Sequence, residues 1–203
     1  LQGDRLNIDI TSMFNSITCN LIDDYRHYRD WEGLRVASIS KLGVDPELDE
    51  DFFLKGERNA VVDAYQKQVF EVYAHKNHKI VEVIYPIAKN VYENEGHKYK
   101  RLSIPYSDGS THMLPIAAEL EDALKTDGKS IVKKKKKTVT LALIDEAWKE
   151  HLRDMDDLKE SVQAASFEQK DPLVIYKMSA YKYFEKLVYN INEKVTSYLS
   201  KGM

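Results

Sequence analysis

Residues 138–163 read TVTLALIDEAWKEHLRDMDDLKESVQ, and Leu141, Ile144, Trp148, Leu152, Met155, Leu158 and Val162 recur there at steps of three and four. That spacing lays them along one side of an α-helix. A competing reading takes the apolar run ending at Asp145-Glu146 as a strand that delivers a metal-holding carboxylate and a water-activating glutamate to a nucleotide site. A strand would lose the period at Asp145, and here the stripe crosses the pair without a change of phase. The segment is therefore expected to be one long helix with Asp145 and Glu146 on its surface, and Asp145–Lys149 and Glu150–Arg153 have the spacing of helix-surface ion pairs. No G-x-x-x-x-G-K-[ST] phosphate loop occurs in the 203 residues. His151 and Asp154 lie one turn apart on a charged, exposed helix with no nucleophile beside them, so no catalytic, cofactor-binding or metal-binding residue is assigned.

The next stretch, AASFEQKDPLVIYK, starts a second helix: Asp171 can cap it and Pro172 can take its first position. Its stripe is Leu173, Tyr176, Ala180, Phe184, Leu187, Ile191, Val195 and Tyr198. Two long helices joined by a short loop are expected to fold as an antiparallel pair, with Trp148, Leu152, Met155 and Tyr176 in its core. Asp and Glu outnumber Lys and Arg over 139–163, and the reverse holds over 172–203, so the two helices attract. Phe167, between Ser166 and Glu168 and followed by Gln169 and Lys170, belongs to neither stripe. Two readings stay open: a contact tip for a passing chain, or a ring folded back to plug the end of the pair.

Eight Gly and five Pro are too few for a chain built of many tight turns, which supports a mainly α fold. An amphipathic helix is expected from about Asp9 (Ile10, Met13, Phe14, Ile17, Leu21, Tyr25), capped by Asn7 or Asp9, with Cys19 as an incidental small residue. Shorter helices punctuated by Gly33, Gly43 and Pro46 come next, then a long helix from Val62 to Val91 that Pro86 should kink or split and Gly96 should close. Two period-two runs, Leu102–Tyr106 and His112–Ile116, flank Asp108-Gly109 and predict a β-hairpin whose prolines mark edge strands. A short helix within AAELEDALKTDG and the Lys133–Lys137 run lead into the long helix at 138. The lysine run is expected to be a solvated helix face, and a contact with anionic lipid stays open.

A net charge of −3 and a pI near 6.1 argue against a nucleic-acid partner. One cysteine excludes an internal disulfide, no stretch of 18 apolar residues occurs, and His75, His78 and His97 lack metal-ligand spacing. The chain starts at Leu1 without an initiator Met or a secretory signal, and is expected to be a cytosolic piece of a longer protein.

IDEAWKEHLRDMDDLKESVQ followed by FEQKDPLVIYK strongly resembles the SecA preprotein translocase ATPases, in their C-terminal region. The spaced identities are Trp148-Lys149-Glu150-His151-Leu152, Met155-Asp156, Gln169-Lys170-Asp171-Pro172-Leu173 and Tyr176-Lys177. VYENEGHKYKRLSIPYSDG is similar to the helical wing of the Bacteroides-like branch. The resemblance implies a long-helix scaffold and antiparallel two-helix finger with a helical wing carrying a small β-hairpin. It divides the chain into the end of a scaffold helix (1–25), the wing (26–138, hairpin near 101–117) and the finger (139–203). It further implies the mechanical, substrate-contacting part of an ATP-driven motor on the cytoplasmic face of the inner membrane. The partners would be a protein-conducting channel, an unfolded preprotein and the motor's other domains, with ATP and Mg bound by those domains. On this alignment Phe167, flanked by Ser166, Glu168, Gln169 and Lys170, takes the place of the aromatic that touches the moving chain, where many relatives have Tyr. The Ala164-Ala165-Ser166 approach also departs from the commoner basic, glycine-containing form. The alternative is a stand-alone, non-catalytic adaptor that binds partner helices.

Overall fold

The structure is a computed structural model that describes residues 4–109, 113–165 and 171–202. Seven helices and one two-stranded sheet occupy these residues in the order α1 (Asp4–His27), α2 (Trp31–Leu42), α3 (Glu50–Lys55), α4 (Arg58–Glu95), β1 (Arg101–Ser107), β2 (Met113–Glu119), α5 (Leu120–Lys125), α6 (Lys129–Ala165) and α7 (Pro172–Lys201). The fold is mainly α with one small hairpin, as the residue pattern requires.

α1 starts at Asp4, so Asn7 and Asp9 are inside the helix and do not cap it. Its stripe buries Leu6, Ile10, Phe14, Ile17 and Leu21. Phe14 packs on Phe70 and Tyr73 of α4 with ring centroids 5.7 and 5.0 Å apart. α2 begins two residues before Gly33, which it includes, because the Asp30 carboxylate accepts the Gly33 N–H at 2.8 Å. It ends at Gly43, whose φ of 63° is the left-handed conformation a glycine adopts without strain. α4 continues through Pro86 as one 38-residue helix, and Gly96 closes it in the right-handed region. Pro86 therefore does not split it.

In the hairpin Ile104 pairs with Ile116, and Pro105 faces Pro115. Both prolines thus occupy one register position, and a two-stranded sheet has only edge strands to hold them. Tyr106 crosses from the hairpin to the end of α7, where it meets Tyr198 at 5.6 Å and the Tyr198 hydroxyl donates to the Tyr106 carbonyl at 2.9 Å. Any β-carbon at Gly202 would lie 2.3 Å from the Tyr106 ring, which ties that position to glycine.

The main core joins α1, α2, α4 and the hairpin to Val139 and Leu143 of α6 and to Val195, Tyr198 and Leu199 of α7. A smaller cluster of Ala88, Ala118, Leu120, Ala123 and Ile131 fastens α4, β2, α5 and α6 together. α6 runs unbroken across residue 138, so one helix carries the path from the smaller cluster through the main core and outward.

Candidate functional site

α6 and α7 extend beyond the core as an antiparallel pair. Asp171 accepts the Leu173 N–H at 2.9 Å and Pro172 sits in the first turn, so the start of α7 is fixed by purely local chemistry. Across the pair, Lys194 of α7 reaches Glu146 at 3.3 Å and Glu150 at 3.9 Å. Asp145 pairs with Lys149 at 2.7 Å on the helix surface. Both carboxylates of the Asp145-Glu146 pair are solvent-facing and engaged with lysines.

The buried face of α6 differs from the expected stripe. After Ile131 and Lys135 near its start, α6 buries Val139, Thr140, Leu143, Ala147, His151, Leu158 and Val162, whereas Trp148 and Leu152 are 45% and 49% exposed. Trp148 and Leu152 are thus not core residues here and Met155 and Tyr176 are only half-buried; the inward face is turned by about one residue over 139–151, while Leu158 and Val162 of the expected stripe are buried. Ala147 and Leu187 are both buried and line the same groove between the helices, and the larger Trp148 and Leu152 stand on its flank. His151, expected on the surface, is 9% exposed in the groove between the helices and stacks on Trp148 at 5.5 Å.

The two flanks of the pair are chemically opposite. Lys194, Glu146 and Glu150 mark one. Counting helical phase from Ala147 on α6 and Leu187 on α7, Leu141, Trp148 and Leu152 share the other flank with Tyr181, Phe184 and Val188. All six are at least 41% exposed, so the pair presents a continuous apolar strip along its length. Leu173 and Phe184, expected in the inner stripe of α7, are exposed at 57% and 51%. Strips of this kind on a helical surface mark contact with another macromolecule.

Phe167, Ser166, Glu168, Gln169 and Lys170 lie outside the described residues, as does His112 of the expected hairpin. The helices place the ends of their loop, Ala165 and Asp171, at the far end of the pair.

The lysine run supplies what the sequence reading missed. Lys133, Lys134 and Lys137 face solvent, but Lys135 is 2% exposed and Lys136 is half-buried. Lys135 Nζ donates to Asn77 Oδ1 at 2.5 Å and lies 5.6 and 5.0 Å from the ring centres of Tyr73 and Tyr106. Burial, with Lys136 and Lys76 close by, pushes its pKa down to about 7. His75, His78 and His97 are exposed, and no cluster able to hold a metal ion occurs among the described residues. Among the same residues no helix is long and apolar enough to cross a membrane.

Residues 1–202 match the family model described as the SecA wing and scaffold domain. The chain belongs to this SecA family. It is 36% identical over 202 residues to the protein translocase subunit SecA of Christiangramia forsetii, and 35% identical to those of Parabacteroides distasonis and Bacteroides thetaiotaomicron. The whole chain is covered in each match, and it spans about 18% of the length of each SecA relative. The long α6–α7 pair, the hairpin and the helices around them are therefore a SecA wing and scaffold unit.

Proposed function

We propose that this chain is the mechanical, substrate-contacting region of a SecA-type, ATP-driven translocase that moves unfolded preproteins through a membrane channel. The observation that carries the reading is the α6–α7 pair: α7 alone has 30 residues, about 45 Å at 1.5 Å per residue, and its inner end is locked in the main core. Such an arm transmits a displacement at its base to the loop at its tip. The apolar flank of Leu141, Trp148, Leu152, Tyr181, Phe184 and Val188 is where the arm docks on the parent's motor domains, which would bind the ATP and Mg. The loop, with Phe167 at its centre flanked by Ser166, Glu168, Gln169 and Lys170, meets the preprotein and the channel entrance. Lys133, Lys134 and Lys137 supply a secondary contact to anionic lipid on the cytoplasmic face of the inner membrane.

The test uses the intact translocase with inverted membrane vesicles. Phe167→Ala should cut preprotein translocation while basal ATP turnover persists, and Phe167→Tyr should restore most of it. Undiminished translocation by the Ala variant would sink the assignment of the tip.

A further inference from the structure

The outward face of the β-hairpin is unlike a sheet surface that meets only water. Its register sets Arg101 opposite Glu119, Ser103 opposite Ala117, Pro105 opposite Pro115 and Ser107 opposite Met113, alternating with the inward-facing Ile104, Tyr106, Ile116 and Ala118. At one end Arg101 and Glu119 pair at 3.1 Å and cancel each other's charge. The other described residues of this face are serine, proline, methionine and alanine, none of them charged, and Met113 is 64% exposed. The solvent face of an antiparallel sheet is ordinarily polar. Each proline also removes an N–H that an edge strand would otherwise have to offer to water.

The lysine run stands beside this face. Ser130 and Lys134 of α6 line a cleft with Ala117 and Glu119 of β2 and Asp122 of α5, so the side of α6 next to β2 carries Lys134 and, about one turn on, Lys137. Lys133, Lys134 and Lys137 are all exposed. Glu119 is taken up by Arg101 and Asp122 is the other carboxylate of the cleft, so the patch is cationic. We propose that the hairpin face and the lysine run form one membrane-surface patch, with Pro105, Met113 and Pro115 entering the headgroup layer of an anionic bilayer and Lys133, Lys134 and Lys137 paired with its phosphates. Lysines alone would suit any polyanion. Lysines next to an uncharged face suit a bilayer, which offers phosphate and hydrocarbon side by side. The proposal rests on the reading of the lysine run as a contact to anionic lipid and adds an apolar component to it.

The test sediments the 203-residue chain with vesicles of phosphatidylglycerol and phosphatidylcholine in equal parts, and with vesicles of phosphatidylcholine alone. The chain should bind the anionic vesicles about a hundredfold more tightly, at about fivefold for each lysine, and the combined Lys133→Gln, Lys134→Gln and Lys137→Gln variant should fall to the level of the neutral ones. Met113→Asp, at an exposed position, should cost about tenfold with the lysines intact, and Met113→Leu should bind like the parent chain. A polarity-sensitive dye attached through Met113→Cys, with Cys19→Ser removing the native thiol, should shift to the blue on anionic vesicles; the same dye attached through Asp63→Cys, exposed on the inner half of α4, should not. Undiminished binding by Met113→Asp, or a dye at position 113 that stays wet on bound vesicles as it would with the hairpin face left for a protein, overturns the proposal and leaves the lysine contact standing. Undiminished binding by the lysine variant, or equal binding to neutral vesicles, removes the lipid contact itself and the proposal with it.

Discussion

The inner and outer parts of the α6–α7 pair are the same two helices held in opposite ways. At the inner end, Val195, Tyr198 and Leu199 are at most 4% exposed and are surrounded by α1, α2, α4 and the hairpin. Further out, α7 buries Leu187 against α6 but leaves Leu173, Val174, Met178, Tyr181 and Phe184 more than half exposed. Burial, at roughly 25 cal/mol per Å² of apolar surface, is what makes helices stay put. The inner end is thus an anchor. The outer part is a two-helix arm whose remaining apolar surface is available to something else.

The sharpest way to break the comparison is at the anchor. Phe14 is fully buried between Phe70 and Tyr73. Phe14→Ala should destabilise the chain by about 3–5 kcal/mol in denaturant unfolding, since it removes a ring from a packed interior and leaves a cavity. A loss below about 1 kcal/mol would mean that the anchor is no better packed than the arm.

The second effect is one of pH and also belongs to the inner end. Lys135 is faced by Tyr73 and Lys76 from α4, Tyr106 from the hairpin and Lys136 from its own helix, with Tyr198 of α7 against Tyr106. Its pKa is held down to about 7, below the ordinary lysine value of 10.5, mainly by burial and then by the neighbouring lysines. Above pH 7 the unfolded chain keeps the proton that the folded chain releases, so stability rises with pH. Below 7 both states hold it and the penalty is complete. Between pH 7 and 9 the gain should be about 2–3 kcal/mol. Lys135→Met should be more stable at pH 7 and rise less over that window, the remaining slope coming from Lys76 and Lys136, whose pKa values burial also lowers. The window stops at 9 because Tyr65 and Tyr73, pushed up to about 12 by burial, begin to work in the other direction once unfolded tyrosines ionise. A parallel pH profile for the two proteins would remove Lys135 from the account.

This contrast also explains what the sequence could and could not disclose. The start of α7 at Asp171-Pro172 and the pairing of the two strands either side of Asp108-Gly109 are signalled by a few adjacent residues, so both are legible. The inward face of α6 is not, because Ala147 and His151, which define it with Leu143, do not count as strong apolar signals, while Trp148 and Leu152 do. A run of five lysines has no period at all. Which of them turns inward depends on Tyr73 and Asn77, some sixty residues earlier in the chain, so the burial of Lys135 is a tertiary fact without a local trace. α1 extends back to Asp4, where Leu6 adds one more buried turn to the stripe that is clearest from Ile10 onward.

The smallest effects belong to the arm, and they sharpen the comparison by separating folding from contact. Trp148 is 45% exposed and Leu152 is 49% exposed, with the Trp148 ring resting on His151 of its own helix. Alanine at either position removes little interior packing and favours the helix by propensity. Trp148→Ala and Leu152→Ala should therefore each cost about 1 kcal/mol or less in the 203-residue chain. In the intact translocase the same substitutions should weaken the coupling of translocation to ATP turnover, because the strip they share with Tyr181, Phe184 and Val188 would lose its central contacts. The two readouts divide the outcomes. Loss of several kcal/mol in the isolated chain would return Trp148 to a core role and shorten the exposed arm to its tip. Unchanged stability together with unchanged translocation would leave the apolar flank without a partner, and the arm would then act through its loop alone.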